Sequence, residues 1–217
     1  MTLFSRGLAP VGVALVVGGG GGQAEQAGDA AATGAEAAAL SVADRGWIEK
    51  IEQALNRNTT FEARIQQIDA SGKRVTGHVW MKRPGQMRLA YDPPSPLLLV
   101  ASDGKVVFRD SQLDQTTVIP IDRTPLGLLL RSHVSLSEGV TITNFQHANG
   151  LVQVTLVRTA SAADGSLTLV FYEKPLALRS WSVVDAQGHE TQVTLYDVHE
   201  GGTLAPSLFV LPAQPQE

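Results

Sequence analysis

Residues 78–100 read HVWMKRPGQMRLAYDPPSPLLLV. Val79 and Met81 alternate with His78 and Lys82, and Met87, Leu89 and Tyr91 alternate with Arg88 and Ala90. Two runs of period two on either side of Pro84 and Gly85 predict a β-hairpin. Pro93, Pro94 and Pro96 then interrupt any ladder, because proline supplies no backbone N–H, and Leu97 to Val100 forms the next strand. Trp80 makes the second face of the first run partly apolar. A cationic pair, Lys82 and Arg83, stands at the turn.

The same reading extends both ways. Upstream, Phe61, Ala63 and Ile65 alternate with Glu62 and Arg64, and Val75 and Gly77 begin the run that ends at Met81. Downstream, Asp103-Gly104 is a hairpin signal between Leu97–Val100 and Val106–Arg109, and Thr116–Pro120 follows. Alternation returns at Val140–Phe145, Val152–Val157, Leu167–Tyr172, Leu178–Val184 and Thr191–Val198, with turns at HANG, AADG and DAQG. Leu208 to Leu211 makes a last short apolar run. The count is about eleven strands without a strand–helix–strand rhythm, which predicts an antiparallel, mainly β domain.

Two segments break this pattern. In SVADRGWIEKIEQALNR, from Ser41, Asp44 lies three residues after Ser41, a capping-box start. Trp47, Ile48, Ile51 and Leu55 then form one apolar stripe, so an amphipathic helix is predicted. In DRTPLGLLLRS, Thr124 as N-cap and Pro125 at the first helical position predict a short apolar helix carrying Leu126 and Leu128 to Leu130. A sheet of about eleven strands curves around more space than eight strands fill with side chains. Two apolar helices could cover its open side, leaving a helix-filled core or an apolar pocket under a helical lid. Periodicity is compatible with both.

The chain has 217 residues, 43% hydrophobic and 18% charged, with a formal net charge of -4. That composition is globular. Mild acidity and only 6% aromatics argue against nucleic acid as partner. With no cysteine there is no disulfide, thiolate ligand or thiol nucleophile. The first 22 residues are expected to be a signal peptide: Arg6 precedes an apolar run, Leu8 to Val17, too short to span a membrane. Residues 23–40 read as a flexible Ala/Gly-rich lead-in, 41–212 as one domain, and 213–217 as a tail.

Catalytic signatures are missing from the sequence. The histidines, 78, 133, 147, 189 and 199, make no HExxH pattern, and a surface role outweighs a metal site. No G-x-S-x-G elbow, P-loop or dinucleotide fingerprint occurs. Asp103, Asp110, Asp114 and Asp122 lie along hairpins, and nothing singles out two of them. No catalytic residue, metal or cofactor is expected. By itself Arg83 reads as a solvated charge at a turn; its alternative is a donor to lid carbonyls at a barrel mouth.

The order of motifs across the folded part resembles the periplasmic outer-membrane lipoprotein carrier family, LolA. Phe61, Ala63, Gln66, Gly77, Arg83, Pro84, Arg88, Tyr91, Pro94, Val100, Asp103, Gly104, Leu113, Gln115 and Pro120 follow in the family's order, and TPLGLLL at 124–130 is similar to its Thr-Pro segment. The likeness is specific between 61 and 130 and weaker beyond. Leu89 and Ala90 stand where a Trp is frequent, and Phe108 and Arg109 where Trp and Tyr are usual. The resemblance implies an incomplete antiparallel β-barrel with helices as a lid over a hydrophobic cavity, and no catalysis. It implies a monomeric periplasmic carrier that takes acylated lipoproteins from an inner-membrane lipoprotein-releasing ABC transporter to an outer-membrane lipoprotein receptor. It also implies that Arg83 latches the lid. By parity, Met81, Leu89, Val100, Leu128, Leu129 and Leu169 are expected to line the cavity. The competing readings are a carrier of another lipid or hydrophobic ligand and a hydrolase on a lipocalin-like barrel. A perturbed carboxylate or histidine pair facing the cavity would mark the enzyme.

Overall fold

The computed structural model describes residues 36–212. The expected signal segment, the lead-in as far as residue 35 and the 213–217 tail lie outside them. Helix α1 (Val42–Arg57) is followed by six strands: β1 (Thr60–Ile68), β2 (Arg74–Lys82), β3 (Gln86–Tyr91), β4 (Leu97–Ser102), β5 (Lys105–Asp110) and β6 (Gln115–Pro120). A connection through 121–139 leads to β7 (Val140–Ala148), β8 (Leu151–Arg158), β9 (Gly165–Tyr172), β10 (Ala177–Asp185) and β11 (Glu190–Glu200).

All eleven strands belong to one antiparallel sheet, ordered β6-β5-β4-β3-β2-β1-β11-β10-β9-β8-β7. Two meanders are thus joined where β1 pairs with β11, with Ile65 opposite Leu195. β6 and β7 end the sheet without pairing to each other, so the barrel is incomplete. The opening hairpin has the predicted register: Met81 faces Met87, Val79 faces Leu89 and Gly77 faces Tyr91. At the β4–β5 and β7–β8 hairpins, Asp103-Gly104 and Asn149-Gly150 hold positive φ at both residues (51° and 72°, 54° and 74°), the pattern that matches strand twist in two-residue turns.

One apolar cluster collects the same face of strands from both meanders. Ala63, Val79 and Leu89 come from the first, and Val154, Leu169 and Trp181 from the second. Ile48 and Ile51 of α1 and Leu128 to Leu130 complete it. A flat sheet could not bring these together, so the sheet wraps around α1. At the start of α1 the capping box is formed: the Asp44 N–H donates to Ser41 Oγ at 3.2 Å, and the Ser41 N–H to Asp44 Oδ2 at 2.8 Å.

The predicted second helix is instead a pair of 3-10 turns, Ile121–Arg123 and Pro125–Leu128. Thr124 caps the second as expected, accepting from the Gly127 N–H at 3.2 Å. Its bonds run i to i+3: Gly127 N–H to Thr124 O, Leu129 N–H to Leu126 O and Leu130 N–H to Gly127 O. Leu128, Leu129 and Leu130 are all buried, which one face of an α-helix cannot achieve for three consecutive residues. So short a segment also gains little from helix propagation. The run at 208–211 likewise contributes to a 3-10 turn, Pro206–Phe209, which packs on the outer side of β3 and β4 and buries Phe209.

Candidate functional site: the apolar interior and its lid

A cavity of about 50 Å³ lies between α1 and the inner face of the sheet. Leu55 of α1, Met81, Met87, Leu129, Phe171 and Trp181 line it. That volume holds only a few water-sized spheres, so the interior is nearly filled by its own side chains. The lining is aliphatic, thioether and aromatic, and methionine adapts its shape easily.

Of the six residues assigned by parity, Met81 and Leu129 line the cavity. Leu89, Leu128 and Leu169 are buried in the surrounding apolar cluster. Val100 does not belong to the lining: it pairs with Arg88, while Leu99 pairs with Leu89. It therefore faces outward, and is buried beneath the Pro206–Phe209 turn, where Arg88 Nη1 donates to Leu208 O at 3.3 Å. In LLLV both faces are covered, so the apolar run carries no parity of its own. Met87, Phe171, Leu178, Trp181 and Leu195 are among the lining residues that parity does not assign. Register would have found two of them, since Met87 faces Met81 and Trp181 faces Leu169.

Arg83 follows β2 and is buried, with 7% of its surface exposed. No carboxylate pairs with it among the described residues. Its Nη2 donates to the carbonyl oxygens of Leu55 and of Asn58, the latter at 2.6 Å, and Nη1 reaches Asn56 Oδ1 at 3.4 Å. The carbonyls at the end of a helix have no partner in the helix and carry its negative dipole end, so a cation is well placed there. Burial lowers the Arg83 pKa, yet guanidinium remains charged at neutral pH. Next to it, the Arg83 N–H donates to Thr59 O at 2.7 Å, and the Gly85 N–H to Leu130 O at 2.8 Å.

The 121–139 connection is tied to the same helix. Asn56 Nδ2 donates to Val134 O at 2.8 Å and the Val134 N–H donates to Asn56 Oδ1 at 2.9 Å. Glu52 Oε1 accepts from the Leu136 N–H at 2.5 Å. Helix and connection therefore form one lid, hydrogen-bonded internally and fastened to β2 by Arg83.

Apart from Arg83, one polar pair in the interior is neutral. Tyr91 OH donates to Gln67 Oε1 at 2.7 Å, and burial pushes the phenol's pKa up. The carboxylate bordering the cavity is Glu200, which is exposed and accepts from Asn58 Nδ2 at 2.9 Å. The His189–Asp185 and His147–Glu173 pairs lie outside the cavity lining. Among the described residues no group of three His, Asp or Glu could hold a metal, and no helix is long and apolar enough to cross a membrane.

The family model described as outer membrane lipoprotein carrier protein LolA matches residues 56–212. The chain is 30% identical over 177 residues to the outer-membrane lipoprotein carrier protein of Azotobacter vinelandii, covering 77% of this chain and 84% of that one. It is 28% identical over 179 residues to that of Chromohalobacter salexigens, covering 77% and 83%. It is also 28% identical over 169 residues to that of Methylococcus capsulatus, covering 74% and 80%.

Proposed function

This chain belongs to the outer-membrane lipoprotein carrier (LolA) family, and from that premise we propose that it shields the acyl chains of lipoproteins while they cross the periplasm. The family is one of carriers rather than enzymes. In this reading the protein receives its cargo from an inner-membrane lipoprotein-releasing ABC transporter and surrenders it to an outer-membrane receptor.

The observation that carries the reading is an apolar interior closed by a lid with few polar fastenings. Exposing one acyl chain of about fourteen methylenes to water costs roughly 11 kcal/mol. A lipoprotein with several chains cannot cross water uncovered. A cavity of about 50 Å³ cannot take such a chain, so loading requires the lid to move. Non-directional attraction by aliphatic side chains tolerates differences among chains. Arg83 supplies the other requirement, a closed state that cargo can compete with: its partners are carbonyls of the lid helix, lost together when the helix lifts.

The test is native mass spectrometry of the protein recovered from the periplasm after co-expression with a tagged lipoprotein. A one-to-one complex with acylated cargo is expected, and should disappear when the cargo's lipidated cysteine is replaced. Recovery with fatty acid or phospholipid alone would make the protein a general lipid carrier. Recovery with no lipid at all would leave the family's architecture without its cargo.

A further inference from the structure

A second cavity, of about 250 Å³, lies on the outer side of the lid, where three elements meet. Its walls come from the β2–β3 turn (Pro84, Gly85), the lid connection (Thr124, Arg131 and Ser132) and the end of β8 (Arg158). We propose that it is a binding site for a phosphate group, taken either as free phosphate or as the headgroup of a phospholipid. The proposal is independent of acyl-chain carriage, since none of these residues lines the apolar cavity.

The charges carry the argument. Two arginines, Arg131 and Arg158, line the cavity against one acid, Asp122. None of the three is in an ion pair among the described residues. Arg158 is half-buried, and its Nη2 is shut off from solvent with no hydrogen-bond partner among those residues. A buried guanidinium nitrogen without a hydrogen-bond partner is costly, and an acceptor beside it relieves that cost. Arg131 gives Nη1 to Glu138 O at 2.9 Å, which steadies the side chain while leaving its other donors unused. Its Nη2 lies beside Gly139, and Arg158 stands opposite Val140 across the β7–β8 pair, so the two cations flank one short stretch of chain. Guanidinium forks suit the tetrahedral oxygens of phosphate, and the Ser132 hydroxyl adds a donor of the same use.

An anion held there would join the lid to the wall, because Arg131 belongs to the connection and Arg158 to β8. The ligand would therefore favour the closed lid, and closure would in turn favour the ligand.

The experiment is a nitrogen–proton NMR titration of the protein with sodium phosphate, at ionic strength held constant with chloride. Saturable shifts are expected at Gly85, Thr124 and Ser132. Arg131→Gln should weaken them about tenfold, the size of one charge-assisted hydrogen bond. Arg131 is exposed, so this variant should fold. Arg158→Gln should weaken them at least as much without lowering Tm, because it removes an unpaired charge. Arg64→Gln, whose side chain is paired with Asp92 elsewhere, should change nothing. A second arm measures co-sedimentation with phosphatidylglycerol vesicles. Arginine-dependent response to inorganic phosphate assigns the site to the free ion. Arginine-dependent vesicle binding without that response assigns it to the headgroup. If neither response depends on Arg131 and Arg158, the proposal is overturned.

Discussion

The wall and the lid bury similar side chains but satisfy their backbones differently. In the wall every strand except the edges β6 and β7 is hydrogen-bonded on both sides, so Trp181 and Leu169 sit within a continuous ladder. In the lid the connection has only short 3-10 turns of its own. Its attachment to α1 passes through the side chains of Asn56 and Glu52, and the attachment of both to the barrel through Arg83, Gly85 and, at the two ends of the connection, the bonds Ile121 N–H to Gly104 O and Thr159 N–H to Gly139 O. The wall is cooperative and the lid is pinned at points. The lid should therefore open at a free energy below that of global unfolding.

The strongest challenge to that contrast is a wall substitution. Trp181 is 2% exposed, and Trp181→Ala should lower global stability by about 3–5 kcal/mol, the usual cost of truncating a buried aromatic. Urea denaturation followed by circular dichroism would register it as a lower midpoint. A loss confined to the lid, with the midpoint unchanged, would mean that the wall does not carry the stability.

Arg83→Leu should do the reverse. It removes the donors to Leu55 O and Asn58 O, and takes away a buried cation that has no carboxylate partner. The two changes offset in part, so the global cost should stay near 1–2 kcal/mol. Amide exchange along α1 should instead accelerate by about tenfold or more. In the proposed carrier cycle this variant releases or passes on cargo unlike wild type. Wild-type exchange along α1 would refute the latch. Glu52→Gln should have a smaller effect, because a neutral amide still accepts from the Leu136 N–H; faster exchange at 134–136, without change in β-strand amides, is the expected pattern.

The same contrast explains what could be read from the sequence. Strands such as β1, β2, β3 and β8 are legible because alternate residues are buried and the turns carry Asp-Gly, Asn-Gly or proline, so period and punctuation agree. β4 is the exception: the Pro206–Phe209 turn covers its outer face, which erased the alternation and sent Val100 to the wrong side. In lid residues 126–130 leucine density suggests a helix, whereas the fold imposes three consecutive burials. For Arg83 the residues alone leave a solvated charge and a donor to lid carbonyls both open, and only the family resemblance favours the second. Its Nη2 partners are main-chain oxygens 28 and 25 residues away, and no side-chain pattern near Arg83 announces them.

The smallest expected effect separates the two ends of the lid helix. At the C-terminal end the fastening charge is Arg83, which does not titrate in acid. At the N-terminal end it is Asp44, whose pKa is held below the ordinary aspartate range chiefly by the Ser41 N–H. A carboxylate with a depressed folded pKa adds stability that is complete above the unfolded value, near 3.9, and lost as pH falls through the folded one. Below about pH 4, then, the first turn of α1 should fray while the Arg83 end stays closed. Carboxyl-detected NMR of Asp44 together with amide exchange at 42–46, from pH 5 to 2.5, measures both. Asp44 lies at the surface, in the first turn of α1, so the change should be local, and Asp44→Asn should abolish its pH dependence. Fraying of both ends together would show instead that α1 is released as one rigid unit, and that its two fastenings act as a single latch.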